Sequence, residues 1–171
     1  MKLINKKIVI TLTGFQLTWL FCVFGEYYNH SLLGIVAGFF YLLFFFYLNN
    51  NRLRALKICI IFSLIGYIFD SILSFNKIFL INSNITFGYL PIWFLVLWPS
   101  FTTLFVDLLV FLRNHIYVAF LMGSLLVPPT YYLGIPLGLA ESNNLLLAMI
   151  IMMVFWGVFL SFYSFFINKI N

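Results

Sequence analysis

The sequence predicts an all-α, polytopic membrane helix bundle of about six transmembrane helices, with both termini in the cytoplasm. Three observations carry that fold class. First, 64% of the 171 residues are hydrophobic and 8% are charged, against about 25% charged in an ordinary soluble domain; mean hydropathy is +1.11. Second, apolar runs near the roughly 20 residues that span a bilayer recur along the whole chain, separated by short polar turns. Third, the basic residues gather at alternate ends of those runs. Composition excludes a water-soluble globule, a disordered chain and a disulfide scaffold. The net charge of +5 is dispersed at helix ends, so no nucleic acid partner is expected.

The elements follow in order. Met1–Lys7 is a short basic head with Lys2, Lys6 and Lys7. Ile8–Gly25 is the first span, about 27 Å long as a helix. No small-x-small cleavage site closes it, so a retained span is expected. Asn29-His30-Ser31 turns the chain into the second span, Leu32–Leu48. Asn49-Asn50-Asn51-Arg52-Leu53-Arg54 is a basic loop that hydrocarbon would not tolerate. Ala55–Ser74 is the third span. Phe75–Leu90 has an apolar run too short to cross, interrupted by Asn76, Asn82, Ser83 and Asn84. It is placed at the interface, either lying on the surface or dipping back onto the bundle. Pro91–Leu112 is the fourth span, and Ile116–Leu139, broken by Pro128-Pro129, is the fifth. Glu141-Ser142-Asn143-Asn144 turns the chain into the sixth, Leu145–Ile167. Residues 1–171 are read as a single integral membrane domain.

Orientation follows from charge. With the N-terminus inside, Lys2, Lys6, Lys7, Arg52, Arg54, Lys57, Arg113 and Lys169 fall on the cytoplasmic side, and only Lys77 lies outside. That bias sets a multi-pass protein of the bacterial cytoplasmic (inner) membrane with both termini inside. Cys22 and Cys59 differ in expected depth by about 16 Å, beyond the roughly 7 Å a disulfide allows, so both are read as free thiols. Trp93 reads as an interfacial belt anchor, and Phe44-Phe45-Phe46 as lipid-facing bulk.

Polar residues inside a membrane face the bundle interior, where partners exist. Thr11, Gly14, Thr18, Cys22 and Gly25 make such a stripe on the first span; Gly34, Gly38 and Tyr41 do so on the second. Ser63, Tyr67, Asp70 and Ser74 mark the third, and Ser100, Thr103 and Asp107 the fourth. Gly157, Ser161, Ser164 and Asn168 complete the pattern. Helix packing through small and hydrogen-bonding residues explains these stripes; a substrate path is the sharper reading.

Four acidic residues are present. Glu26, Asp70 and Glu141 fall at or near the outer side, and Asp107 lies near the cytoplasmic end. An intramembrane acid costs about 2.5–3.5 kcal/mol on insertion scales, which makes Asp70, with Glu26, the candidate acid–base group. The plain alternative is a protonated Asp70 hydrogen-bonded by a Tyr or Trp. For Asp107 a structural ion pair with Arg113, Arg54 or Lys57 is expected. His30 and His115 lie on opposite sides, so no metal site is expected. No Cys-x-x-Cys, His-Glu-x-x-His, Gly-x-Ser-x-Gly or Walker pattern occurs, and no cofactor is expected. Pro128-Pro129 removes two backbone donors and frees carbonyls a turn earlier. With Tyr131, Tyr132 and Gly134 next to it, the break marks a polar pocket, and Tyr67, Tyr131, Tyr132 and Glu141 are candidate ligand contacts.

Several motifs stand in a recognisable order: Phe15-Gln16-x-x-Trp19 with Gly25; Asp70; Pro91-x-Trp93 running into Leu97-Trp98-x-x-Phe101; Pro129-x-Tyr131-Tyr132-x-Gly134; and Gly138. Over nearly the whole chain they resemble a family of bacterial inner-membrane proteins, domain-of-unknown-function family 2878. One position departs, since Val127-Pro128 stands where the family usually has glycines. The resemblance adds Gln16, Trp19 and Trp98 to the candidate ligand contacts and implies a link to membrane-lipid modification. It brings no established activity. Two readings stay open. In the first, the protein is a non-catalytic component that binds a lipid or apolar molecule, or serves a lipid-modifying enzyme partner. In the second, it is a small intramembrane enzyme acting on lipid through Asp70 and Glu26.

Overall fold

In hydrocarbon every backbone N–H and C=O must be satisfied within its own segment, so long apolar runs wind into helix. The computed structural model describes residues 6–167 and Lys169. Its helices are α1 (Lys6–Tyr27), α2 (Leu32–Leu48), α3 (Arg52–Phe75), α4 (Phe94–Asp107), α5 (Ile116–Leu126), α6 (Pro128–Tyr132) and α7 (Leu145–Phe166). Because α5 and α6 form one apolar stretch, Ile116–Tyr132, broken at Val127, six helices account for the described residues. Three of them, α1, α3 and α7, are long and apolar enough to cross a membrane; the other three are shorter and apolar. The fold is all-α. Its only strands among the described residues are four two-residue pieces, β1 (Leu80–Ile81), β2 (Thr86–Phe87), β3 (Leu90–Pro91) and β4 (Ala140–Glu141).

The chain divides into two compact units, the boundary falling inside α3 between Ile68 and Phe69. The first unit takes residues 6–68 and 92–110. A side chain at Gly34 would strike the Cys22 backbone, and one at Gly38 would meet Thr18 and Val96. Close antiparallel approach of α1 and α2 therefore rests on the small-residue face read from the sequence. Polar ties at both ends hold α1 antiparallel to α4. Near the start of α1, Lys7 Nζ pairs with Asp107 Oδ1 at 2.8 Å; at its end, Trp93 Nε1 donates to Glu26 Oε2 at 2.9 Å. The α3 segment of this unit runs antiparallel to α4 too. Ser63 and Thr102 hydroxyls share a hydrogen bond of 3.1 Å, and the Phe62 and Phe105 rings meet edge to face at 5.1 Å. Within this unit α1 and α3 thus run opposite to α2 and α4.

The second unit takes residues 69–91 and 111–167 with Lys169. Here α5 and α7 lie antiparallel, with Gly123 against the Trp156 backbone and Gly157 against Ser124 and Phe120. Ser161 Oγ donates to Ile116 O at 3.3 Å, and Ser164 Oγ to Leu112 O at 2.6 Å. The stripe on the sixth span is therefore an interior face, except that Asn168 lies outside the described residues. The segment after α3 is neither helical nor free-running. β1 pairs antiparallel with β4, Leu80 opposite Glu141, and β2 with β3, Phe87 opposite Leu90.

Four expectations need correction. Trp93 is 5% exposed and binds Glu26, so it is an interior donor and not a belt anchor. Phe45 is 2% exposed in the core with Tyr41 and Ala55, and Phe46 packs partly buried against that core, so of the Phe44-Phe45-Phe46 run only Phe44 is outward bulk. The cation on Asp107 is Lys7, not one of the three basic residues expected. The fourth and fifth spans are shorter as helices than expected: Pro91 sits in β3 ahead of α4, a 3-10 turn at Leu109–Leu112 follows it, and residues 133–139 form turns.

Candidate functional site

Asp70 lies on the last turns of α3, in the second unit, and is 2% exposed. Tyr131 reaches it from α6. The prolines explain how: Pro128 and Pro129 occupy the first helical positions of α6, where a missing N–H costs nothing. Thr130 Oγ1 donates back to Val127 O at 2.7 Å. Consecutive helical residues point about 100° apart, so Tyr131 turns inward and Tyr132, 47% exposed, turns out. The Tyr131 phenol donates to Asp70 Oδ1 at 3.0 Å.

Two aromatic rings stand beside Tyr131. Phe79, buried, meets the Tyr131 ring edge to face at 5.9 Å. The Trp156 ring of α7 lies 6.4 Å from it, and Phe69 stacks on Phe155. Phe79 is held there by the loop that carries it. Ser142 Oγ donates to Ile78 O at 2.7 Å, Asn82 N donates to Leu139 O at 2.8 Å, and the β1–β4 pair closes the contact. Ser74 Oγ, donating to Tyr89 O at 2.8 Å, ties the far end of the loop to α3. One carboxyl and one phenol are thus joined by a hydrogen bond, with the Phe79 and Trp156 rings beside the phenol.

The first unit has its own polar line. Thr11 Oγ1 donates to Asp107 Oδ2 at 2.8 Å. The Tyr41 hydroxyl donates to Thr11 O at 3.1 Å and shares a 2.6 Å hydrogen bond with Thr103 Oγ1. Every step joins different helices of that unit, so this line is packing glue in the sense expected of membrane interiors. No group of three or more His, Cys, Asp or Glu fit to hold a metal ion occurs among the described residues.

The family model for a protein of unknown function, DUF2878, matches residues 8–162. The chain belongs to the DUF2878 family. No curated protein matches it. No solved structure matches it either. The matched stretch takes in Glu26, Trp93, Asp107, Asp70, Tyr131 and Trp156, that is, the acidic anchors of both units and most of their partners.

The structure of this DUF2878 chain brings together two of the residues named from sequence, Asp70 and Tyr131. Of the others, Glu26 sits in the first unit on Trp93, and Trp98 is buried there against Gly66 and Phe101. Trp19 and Tyr67 are half-buried in that unit and Gln16 is exposed. Tyr132 is outward-facing and Glu141 is exposed in β4, so neither joins Asp70. Sequence reasoning missed Phe79 and Trp156, the ring neighbours of Tyr131, and Trp93, the donor to Glu26. For Trp156 a signal existed, since it directly precedes Gly157 of the interior stripe.

Proposed function

We propose that this protein is a non-catalytic component of the bacterial cytoplasmic (inner) membrane. It binds a lipid or another apolar ligand and serves membrane-lipid modification beside a lipid-modifying enzyme partner. The observation that carries this reading is the hydrogen-bonded Asp70–Tyr131 pair set among the rings of Phe79 and Trp156. A single polar anchor in an aromatic lining suits a molecule with one polar head and an apolar body. The buried acids also argue for binding over turnover. Asp70 is held by a phenol, Glu26 by an indole and Asp107 by an ammonium and a hydroxyl, and general acid–base work wants two positioned groups on one substrate.

Lipid profiling of cells with and without the gene tests the reading, with Asp70→Asn as the third strain. A changed acyl or head-group species that the variant restores supports an accessory binding role. A change that wild type corrects and Asp70→Asn leaves uncorrected points to intramembrane chemistry by Asp70, with Glu26 as the second acid. No change in any species overturns the link to lipid modification.

The proposed placement is one integral membrane domain with six spans and both termini inside. Helices alternating in direction within each unit support it, as does the charge bias. Reporter fusions after Arg54, Arg113 and Lys169 are expected to read cytoplasm, and fusions after His30 and Asn143 the outside. A cytoplasmic signal at Asn143 would remove the sixth span or turn the fifth into a re-entrant hairpin.

A further inference from the structure

The loop joining α2 to α3 holds more donors than its own fold uses. Arg52 Nη2 donates to Tyr47 O at 3.3 Å, satisfying a carbonyl at the end of α2. Asn51 Oδ1 accepts from Arg54 N at 3.2 Å, the side-chain cap of α3. Asn49 Oδ1 accepts from Asn51 N at 3.2 Å, which fixes which end of the Asn49 carboxamide is oxygen and folds that group over the start of α3. Two donors remain. Asn49 Nδ2 and Arg54 Nε are both buried with no acceptor, and Asn49 as a whole is 5% exposed.

A buried donor without a partner is costly, doubly so on a cation. Side chains of a helix lean toward its N-terminus, so the Arg54 stem leans toward the turn over which the Asn49 carboxamide is folded. The α3 N-terminus adds the positive end of its dipole, which favours anions. Lys57 stands exposed one turn further along. The two carboxylates of this unit are engaged elsewhere, Asp107 by Lys7 and Thr11 and Glu26 by Trp93.

We propose that Asn49–Arg54, at the start of α3, is a binding site for a phosphate-bearing anion, supplied by an anionic lipid head group or by free phosphate. The charge bias that orients the chain explains why basic residues sit in this loop. It does not explain why an amide and a guanidinium nitrogen are buried there unpaired. The proposal is independent of the Asp70 site.

The test uses the full-length protein purified in a neutral detergent, titrated with phosphatidylglycerol, phosphatidylcholine or inorganic phosphate. Native mass spectrometry counts bound lipid, and thermal unfolding reads the stabilisation that each anion brings. One phosphatidylglycerol is expected to bind and raise the unfolding temperature, with phosphatidylcholine weaker. Asn49→Ala and Arg54→Gln are each expected to weaken binding by about tenfold, the loss of one charge-assisted hydrogen bond. Arg54→Lys keeps the charge, loses the planar fork and falls between, and it stands in for Arg54→Gln should that variant fail to fold. Lys77→Gln, in the other unit, is expected to change nothing. Stabilisation by inorganic phosphate that competes with the lipid, and that the same variants abolish, assigns the site to free phosphate. Equal binding of phosphatidylcholine with no response to phosphate, or anion binding that Asn49→Ala and the Arg54 variants leave unchanged, overturns the proposal.

Discussion

Asp70→Leu is expected to lower both the detergent-solubilised yield and the unfolding temperature, while Asp70→Asn keeps both close to wild type. Leu fills the space but removes the carboxylate oxygen that accepts from the Tyr131 O–H, at a cost of about 1–3 kcal/mol. Asn retains an oxygen where Asp70 Oδ1 now accepts at 3.0 Å and removes only the titratable proton. Tyr131→Phe gives the companion measurement, because it deletes the donor and leaves the ring against Phe79 and Trp156. Removing both partners of a buried hydrogen bond is far cheaper than removing one. The double variant Asp70→Leu/Tyr131→Phe is therefore expected to be less destabilised than the sum of its singles. Additive losses, or an Asp70→Leu protein as stable as wild type, would mean that the bond contributes nothing to the second unit.

What was legible in the sequence is what the bilayer enforces. Helices had to fill the apolar runs because hydrocarbon leaves the backbone no other partner. Thr11, Thr18, Gly34, Gly38, Ser100 and Ser164 had to turn inward for the same reason, and all are buried. What escaped depends on particular meetings of residues that no periodicity encodes. Trp93 sits where interfacial tryptophans abound, so its bond to Glu26, 67 positions away, was hidden behind a good prior. Lys7 looked like one more orienting charge until α1 and α4 lay side by side. Tyr131 and Tyr132 are neighbours of one type, and which of them meets Asp70 depends on the helical phase after Pro128-Pro129. The β1–β4 pair that seats Phe79 is two residues long on each side, too short for an alternating pattern to announce it.

Gly123→Leu is expected to abolish the folded second unit, and even Gly123→Ala to destabilise it, against the intrinsic preference of the helix. In an isolated helix Ala is favoured over Gly by about 1 kcal/mol, so propensity alone makes Gly123→Ala stabilising. Packing opposes it. A Cβ at Gly123 would run into the Trp156 carbonyl and the Gly157 amide, which are backbone atoms of α7 and cannot swing aside as a side chain can. The two helices would have to separate, and with them the hydrogen bonds from Ser161 to Ile116 and from Ser164 to Leu112. Overpacking of this kind typically costs about 1–3 kcal/mol and occasionally more, so it outweighs propensity for Ala and overwhelms it for Leu. Gly88→Ala is the control. Gly88 has φ +64 with nothing within 4 Å of the added carbon, so only a backbone strain of about 1–2 kcal/mol applies there. Thermal unfolding in detergent should place Gly123→Ala below wild type and Gly123→Leu far below both. A Gly123→Ala protein more stable than wild type would show that α5 and α7 do not meet backbone to backbone.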